Sequence, residues 1–255
     1  MIDNRNKLNR ICAVIFIALE ALLFYLIHIE NADLGFSLRY TSIILAAVFS
    51  WLTLAVKLCG AKKSNESPLR LLFSLKDGNL LRIAMLFTLA ADFCLVALDE
   101  IKQLEGMVFF SGTQLFIFLH LLLRDEDKKS RKAHILVRLV LMAVLVLATF
   151  AVLGSAADKL ALISVIYYAN LITSMIFAPR DKRGGWLLAL GLLLFALCDI
   201  NVGLAVLNDM YVGGFPEGSL LYNLVNADVD LAWIFYLPSQ TVIPLTLLID
   251  KKKKG

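Results

Sequence analysis

Eight continuous apolar stretches constrain the fold of this 255-residue chain more than any other feature. A helix needs about 20 apolar residues to cross the hydrocarbon core of a bilayer. Because the residues in these stretches do not alternate between apolar and polar, a transmembrane β-barrel is excluded. The sequence therefore predicts an all-α, polytopic membrane protein with one integral membrane domain over 1–255. Its transmembrane helices lie near 10–29, 38–58, 80–99, 105–123, 134–154, 158–178, 184–208 and 229–249.

The basic residues are divided unevenly between the two sides of the predicted bundle. Of the 25 Lys and Arg residues, 22 lie on the side that carries both termini, and the other side has Arg39, Lys102 and Lys159. Cytoplasmic loops of membrane proteins carry such an excess, so both termini are predicted to be cytoplasmic. The basic loops would contact anionic membrane lipids. Because these charges fall in short clusters between apolar stretches, no nucleic-acid partner is expected.

The C-terminal sequence KKKKG has two interpretations. It is typical of a positively charged anchor at the cytoplasmic end of the last helix. In a eukaryote, Lys252 and Lys253 would instead form a dilysine signal that retrieves the protein to the endoplasmic reticulum. We favour the anchor and a multi-pass protein of the bacterial cytoplasmic membrane.

The cysteines and histidines form no pattern that is typical of redox or metal chemistry. No CxxC pair occurs among the four cysteines, and the three histidines lie far apart in the sequence. Zinc sites need ligands at closer and more regular spacing. Neither a metal nor another cofactor is therefore expected.

Three acidic residues fall inside predicted membrane helices: Glu20, Asp92 and Asp199. An ionisable group at the centre of a transmembrane helix costs at least ~2.5 kcal/mol, which makes it a candidate for function. The alternative is a neutral, protonated acid that links two helices by a hydrogen bond. We favour that alternative for Glu20 and a functional role for the two aspartates.

The two aspartates lie at similar predicted depths. At a rise of ~1.5 Å per residue, Asp92 lies roughly 18 Å and Asp199 roughly 22 Å from the cytoplasmic ends of their helices. The two carboxyl groups are thus expected to meet in the centre or the outer half of the bundle. Other polar side chains are predicted at compatible depths: Gln114, Tyr167, Tyr168, Asn170, Asn201, Tyr236, Ser239 and Gln240.

A weak internal similarity relates the two halves of the chain. The segments LFTLAAD at 86–92 and LFALCD at 194–199 each place an aspartate after a Leu-Phe pair. Each segment lies in the third helix of a four-helix half. This pattern fits a parallel 4+4 duplication of the kind found in transporters.

Several motifs resemble those of the YhhN-like family, which includes the lysoplasmalogenases. FTLAAD at 87–92 is similar to the family pattern F-[ST]-x-x-G-D, and GLLLFALCD at 191–199 is similar to G-x-x-L-F-x-x-S-D. The segment 106–118 resembles the family's fourth helix, with Gln114 where many members have His. FYLPSQTVIPLTL at 235–247 matches at Tyr236 and Gln240, and SLRYTSIILAA at 37–47 keeps a positive charge at Arg39. The resemblance covers roughly residues 35–249.

The resemblance implies hydrolysis of the vinyl-ether bond of a lysoplasmalogen, a lysophospholipid of the choline or ethanolamine type. The products would be a fatty aldehyde and a glycerophospho-alcohol. Such an ether opens when its alkene carbon is protonated, so the reaction needs an acid and an anion. Asp92 and Asp199 would supply both if one carboxyl group stays protonated and the other stays ionised.

The resemblance and the predicted depths also suggest roles for the surrounding side chains. Gln114, Gln240 and a tyrosine from helix 6 or 8 (Tyr167, Tyr168 or Tyr236) would orient the water or the glycerol hydroxyl. Arg39 would contact the substrate phosphate, or would simply extend its charge from a helix end into water.

Two other classes of function remain open at this stage. The first is a transporter or lipid-binding protein that uses the same aspartates to relay protons or bind a cation. The second is a metal-dependent lipid amidase, for which the chain lacks histidine ligands at suitable spacing.

Overall fold

The computed structural model describes residues 2–29, 32–61, 67, 71, 74, 78–98, 100–210, 214–227 and 229–249. The tail residues Lys251 to Lys254, which entered the topology prediction, lie outside this range. Within the described residues the chain forms helices α1 (Ile2–Ile29), α2 (Ala32–Ala61), α3 (Asn79–Asp92), α4 (Gln103–Arg124), α5 (Lys128–Leu153), α6 (Lys159–Phe177), α7 (Gly185–Met210), α8 (Leu220–Val225) and α9 (Leu231–Leu245).

All eight predicted membrane helices are confirmed. Helices α1 to α7 and α9 each contain a segment that is long and apolar enough to cross a membrane. The main differences lie at the polar ends. Helix α5 begins at Lys128, well before the predicted residue 134, because the Asp127 side chain accepts a hydrogen bond from the Lys129 backbone N–H and caps the helix. The short helix α8, capped by Ser219, was not predicted because it is too short to cross a bilayer.

Helices α7 and α9 pack together more extensively than any other pair of helices in the described chain. Gly191 allows this close approach, because a Cβ atom there would lie 2.7 Å from Cγ1 of Ile243. Helices α3, α4 and α6 continue the packed core, and α2 contacts both α3 and α9. Helix α5 packs on α6 at the periphery, and most of its apolar side chains are exposed. The bundle thus presents an apolar surface to lipid.

Helix α3 changes its geometry directly after Asp92. Residues Phe93–Ala97 form a π-helical turn, and Leu98 then adopts an extended backbone conformation. The backbone N–H of Lys102 donates to the carbonyl oxygen of Cys94 at 3.0 Å, which closes the connection to α4. Such π-turns occur frequently at functional sites. Asp92 therefore lies where a regular helix ends.

Two arginines that were counted toward the basic side are buried within helices. We call the end of the bundle that carries the α4–α5 and α6–α7 connections the basic end. Near this end, Arg82 in α3 is 0% exposed and Arg138 in α5 is 4% exposed. Arg82 donates to the Ser50 carbonyl oxygen and to Thr53 Oγ1 of α2, both at 2.9 Å. Both residues lie within the predicted helices, and their side chains bond inside the bundle.

Membrane orientation is tested by the same substitution at both ends of the bundle. In a background without the native cysteines, we expect Glu217→Cys to react with a membrane-impermeant maleimide in intact cells. Glu126→Cys, in the exposed α4–α5 connection, should react only after the cells are made permeable, because the excess of Lys and Arg predicts that this end lies in the cytoplasm. Labelling of Glu126→Cys but not Glu217→Cys in intact cells would reverse the assigned orientation.

Candidate active site

Asp92 links helices α3 and α9. The Tyr236 hydroxyl donates a hydrogen bond of 2.5 Å to Oδ2 of Asp92. The Asp92 side chain is buried, with 2% of its surface exposed, and Tyr236 is buried beside it. The hydrogen bond fixes the direction of the carboxyl group and leaves Oδ1 available for another partner.

Asp199 makes the equivalent connection between α7 and α6. The Tyr167 hydroxyl donates to Oδ2 of Asp199, also at 2.5 Å. Tyr167 is buried, whereas Asp199 is partly exposed. The structure thus contains two Asp–Tyr pairs, each formed between different helices.

An aromatic cluster joins the two Asp–Tyr pairs. The Phe195 ring lies 5.3 Å from the Tyr236 ring and 6.4 Å from the Tyr167 ring, measured between centroids. Phe110 of α4 packs against Phe195 at 5.4 Å. The expectation that the two carboxyl groups share one depth fits this arrangement. Asp92 is the thirteenth residue after the start of α3 and Asp199 the fourteenth after the start of α7, which places both about 20 Å from the basic end.

Two buried glutamines lie about one helical turn closer to the basic end than Phe110 and Tyr236 do. Gln114 follows Phe110 by four residues in α4, and Gln240 follows Tyr236 by four residues in α9. Both side chains are 0% exposed. In the described part of the chain, neither amide atom of Gln114 has a hydrogen-bond partner, and Oε1 of Gln240 also lacks one. A buried polar atom without a partner costs about 1–3 kcal/mol, so these groups are suited to bind water or a substrate hydroxyl.

Three other predicted site residues donate hydrogen bonds to backbone carbonyl oxygens and not to the aspartates. The Tyr168 hydroxyl donates to the Ala196 carbonyl oxygen at 3.2 Å, one turn before Asp199. Asn201 Nδ2 donates to the Leu197 carbonyl oxygen within α7. Ser239 Oγ donates to the Tyr236 carbonyl oxygen. Tyr168 and Asn201 thus bond to α7, which carries Asp199, and Ser239 bonds within α9, which carries Tyr236.

Three predicted site residues do not meet the aspartates directly. Glu20 is buried between α1 and α2, where Ser42 Oγ donates to its Oε2 at 2.6 Å. Asn170 accepts a hydrogen bond from Arg138 of α5, on the side of α6 that faces away from α7. Arg39 forms an ion pair of 2.8 Å with Asp230, at the end of the bundle opposite the basic end.

Sequence reasoning missed two groups of residues around the site. Phe195 and Trp233 complete the aromatic cluster, and the Trp233 ring packs edge-on against Tyr236 at 5.3 Å. Arg138 also donates to Ser174 Oγ at 2.8 Å and lies over the Phe118 ring. The predicted helix over 134–154 already contained Arg138, and its apolar sequence context, HILVRLVLM, was the available signal that the side chain needs partners inside the bundle.

The arrangement is suited to acid–base chemistry by carboxyl groups. Each aspartate has a tyrosine donor, and the second carboxyl oxygen remains for a reacting group. Within the described ranges, no three His, Cys, Asp or Glu side chains are grouped so that they would hold a metal ion. The chemistry that the side chains themselves offer is donation and acceptance of protons by carboxyl groups among aromatic rings.

Comparisons with known proteins give one family. Comparison with curated proteins and with solved structures gave no match. The model of the YhhN family matches residues 35–247, which include both Asp–Tyr pairs and both glutamines but exclude helix α1 and Glu20. This chain therefore belongs to the YhhN family.

Proposed function

We propose that this protein is an intramembrane hydrolase that cleaves the vinyl-ether bond of lysoplasmalogens. The observation that carries the proposal is the pair of aspartates, each held by a tyrosine of another helix, at one depth in the bundle. Family membership supports the same reading, because the YhhN-like family includes the lysoplasmalogenases.

The first chemical step requires an acid. One aspartic acid donates its proton to the alkene carbon that lies farther from the ether oxygen. The ether carbon then becomes an oxocarbenium ion, which the ionised carboxylate of the other aspartate stabilises. Fixed charge acts strongly here because the surroundings have a low dielectric constant. The hydrogen bonds from Tyr236 and Tyr167 hold the two carboxyl groups in place during this step.

The second step consumes water. Water attacks the oxocarbenium carbon and gives its proton to the ionised carboxylate, which yields a hemiacetal. The hemiacetal then separates into a fatty aldehyde and the glycerol hydroxyl. One carboxyl group has lost a proton and the other has gained one, so proton transfer between Asp92 and Asp199 restores the starting state. This return step requires that the two groups act as one titrating unit.

The two buried glutamines supply the positioning that the second step needs. Both amide atoms of Gln114 and Oε1 of Gln240 lack a hydrogen-bond partner among the described residues, whereas Nε2 of Gln240 donates to Ser239 Oγ. A water or a glycerol hydroxyl would satisfy the atoms that lack a partner. Loss of either amide should therefore weaken binding or orientation while the fold is retained.

The partly exposed Asp199 offers a route for substrate entry. Its neighbours Ile200 and Val202 expose 46% and 49% of their surfaces on the outside of α7. A single-chain amphiphile could approach along this apolar surface with its tail in the hydrocarbon and its headgroup in water. Asp92, by contrast, is buried, so the lipid would reach it after Asp199.

The rival function is a transporter or lipid-binding protein that uses the same aspartates. Purified protein in detergent separates the two classes, because no gradient exists there. We expect aldehyde to be released from lysoplasmalogen under these conditions. Protein that binds the lipid without releasing aldehyde would belong to the rival class.

Replacement of either aspartate by asparagine tests the two-carboxyl mechanism. Asp92→Asn and Asp199→Asn keep the side-chain size and a hydrogen-bond acceptor, so we expect folded protein. Turnover should fall by at least ~10²-fold for each variant, and the double variant should lose little more, because both groups act in one transition state. Aldehyde release is measured on monodisperse protein of each variant.

The control for this experiment lies on the same helix as Asp199. Asp209→Asn removes an exposed carboxyl group ten residues further along α7 and should leave turnover unchanged. If the aspartates only link helices, their Asn variants would lose thermal stability and yield together with activity. Retention of more than about a third of wild-type turnover by either Asn variant would contradict the mechanism, since loss of general catalysis costs far more.

Removal of metal ions should not affect the reaction. A carboxylic acid protonates the alkene carbon directly, so no step needs a Lewis acid. We expect turnover to survive EDTA and extensive dialysis, as measured by aldehyde release before and after treatment. Activity that disappears and returns with added zinc would move the protein to the metal-dependent hydrolases.

A further inference from the structure

The ion pair between Arg39 and Asp230 lies at the end of α9 that precedes Tyr236. Arg39 Nη2 donates to Asp230 Oδ2 at 2.8 Å, and the two side chains are 22% and 43% exposed. Arg39 comes from α2, and Asp230 caps the first turn of α9. An exposed ion pair of this kind contributes little stability, so a ligand that carries both charges can displace it.

A continuous series of contacts connects this ion pair to Asp92. The Arg39 guanidinium carbon lies 5.0 Å from the centre of the Trp233 ring. The Trp233 ring contacts Tyr236, and the Tyr236 hydroxyl donates to Asp92. Tyr40, next to Arg39, lies near the end of α3, with its ring 6.2 Å from that of Phe93. The charges at the surface are thus held in a fixed relation to the buried carboxyl group.

The spacing along α9 suits a lysophospholipid. Asp230 precedes Tyr236 by six residues, which corresponds to about 9 Å along the helix axis. In an extended lysophospholipid, five bonds, or about 6 Å, separate the ether oxygen from phosphorus, and the ammonium group lies a few ångströms beyond. With the ether bond beside Asp92, the headgroup therefore reaches the level of the ion pair.

We propose that Arg39, Asp230 and Trp233 form a headgroup site that selects lysophospholipids with a phosphate and an ammonium group. Arg39 binds the phosphate, since a guanidinium matches its oxygens in a bidentate manner. Asp230 and the face of Trp233 bind the ammonium group, because carboxylates and indole rings both attract organic cations. The lipid exchanges the internal ion pair for two ion pairs of its own. This assignment rests on the proposed function, which places the ether bond beside Asp92.

Binding of a lipid that cannot be hydrolysed tests the site separately from catalysis. The probes are two saturated alkyl-ether lysophospholipids, one with a phosphocholine and one with a phosphoglycerol headgroup. In a Trp51→Phe, Trp186→Phe background, Trp233 fluorescence reports binding to detergent-purified protein. We expect the wild-type site to bind the phosphocholine lipid more tightly than the phosphoglycerol lipid.

Asp230→Asn should abolish this preference. Asparagine still caps α9, where the Asp230 side chain accepts the Trp233 backbone N–H, but it no longer attracts the ammonium group. We expect affinity for the phosphocholine lipid to fall about fivefold to tenfold, as for loss of one charge-assisted contact, with no loss for phosphoglycerol. Arg39→Gln should weaken binding of both lipids, because both carry phosphate.

The control makes the same change at another helix N-terminus on this end of the bundle. Asp158 caps α6 by accepting the Ala161 backbone N–H at 2.7 Å, and Asp158→Asn should leave both affinities unchanged. Equal weakening of both lipids by Asp230→Asn, or no weakening at all, would overturn the headgroup site. Headgroup-selective binding without release of aldehyde from a vinyl-ether lipid would instead refute the proposed hydrolysis and leave the headgroup site standing.

Discussion

The bundle depends on hydrogen bonds between polar side chains of different helices. A polar or charged group inside a membrane protein has no bulk water to bind, so a neighbouring helix must supply its partner. Tyr236 does this for Asp92, and Tyr167 does it for Asp199. Ser42 does the same for Glu20 between α1 and α2. The same contacts that make these groups tolerable in the membrane also fix how the helices are placed.

This constraint accounts for the geometry of the candidate site. Gly191 brings α7 against α9, which positions Phe195 beside Tyr236 and places the two Asp–Tyr pairs on either side of one aromatic cluster. Each carboxyl group then has a donor of its own. The proposed reaction cycle adds proton transfer between the two groups.

Periodicity and composition predicted the helices well, and residue chemistry predicted the centre of the site. Asp92 and Asp199 stand out in the sequence because carboxyl groups are costly in an apolar segment. Their partners could not be assigned from the sequence, since the rotation of each helix about its axis is set by packing. Asn170 lies at a depth compatible with the aspartates, yet α6 turns it toward Arg138 of α5. The buried contacts of Arg82 and Arg138 were not predicted for a related reason, because a basic residue near a helix end is consistent with both an exposed and a buried side chain.

The position of the oxygen atom supplied by water tests the central claim most directly. Purified protein is given lysoplasmalogen in water enriched in oxygen-18, and the aldehyde is reduced at once to an alcohol so that its oxygen no longer exchanges. Mass spectrometry then locates the label. Attack of water on the oxocarbenium carbon predicts label in the alcohol derived from the aldehyde and none in the glycerol hydroxyl, with turnover lost in Asp92→Asn and Asp199→Asn. Label in the glycerol hydroxyl would require cleavage of the bond between the ether oxygen and glycerol, and would contradict an acid-initiated opening of the vinyl ether.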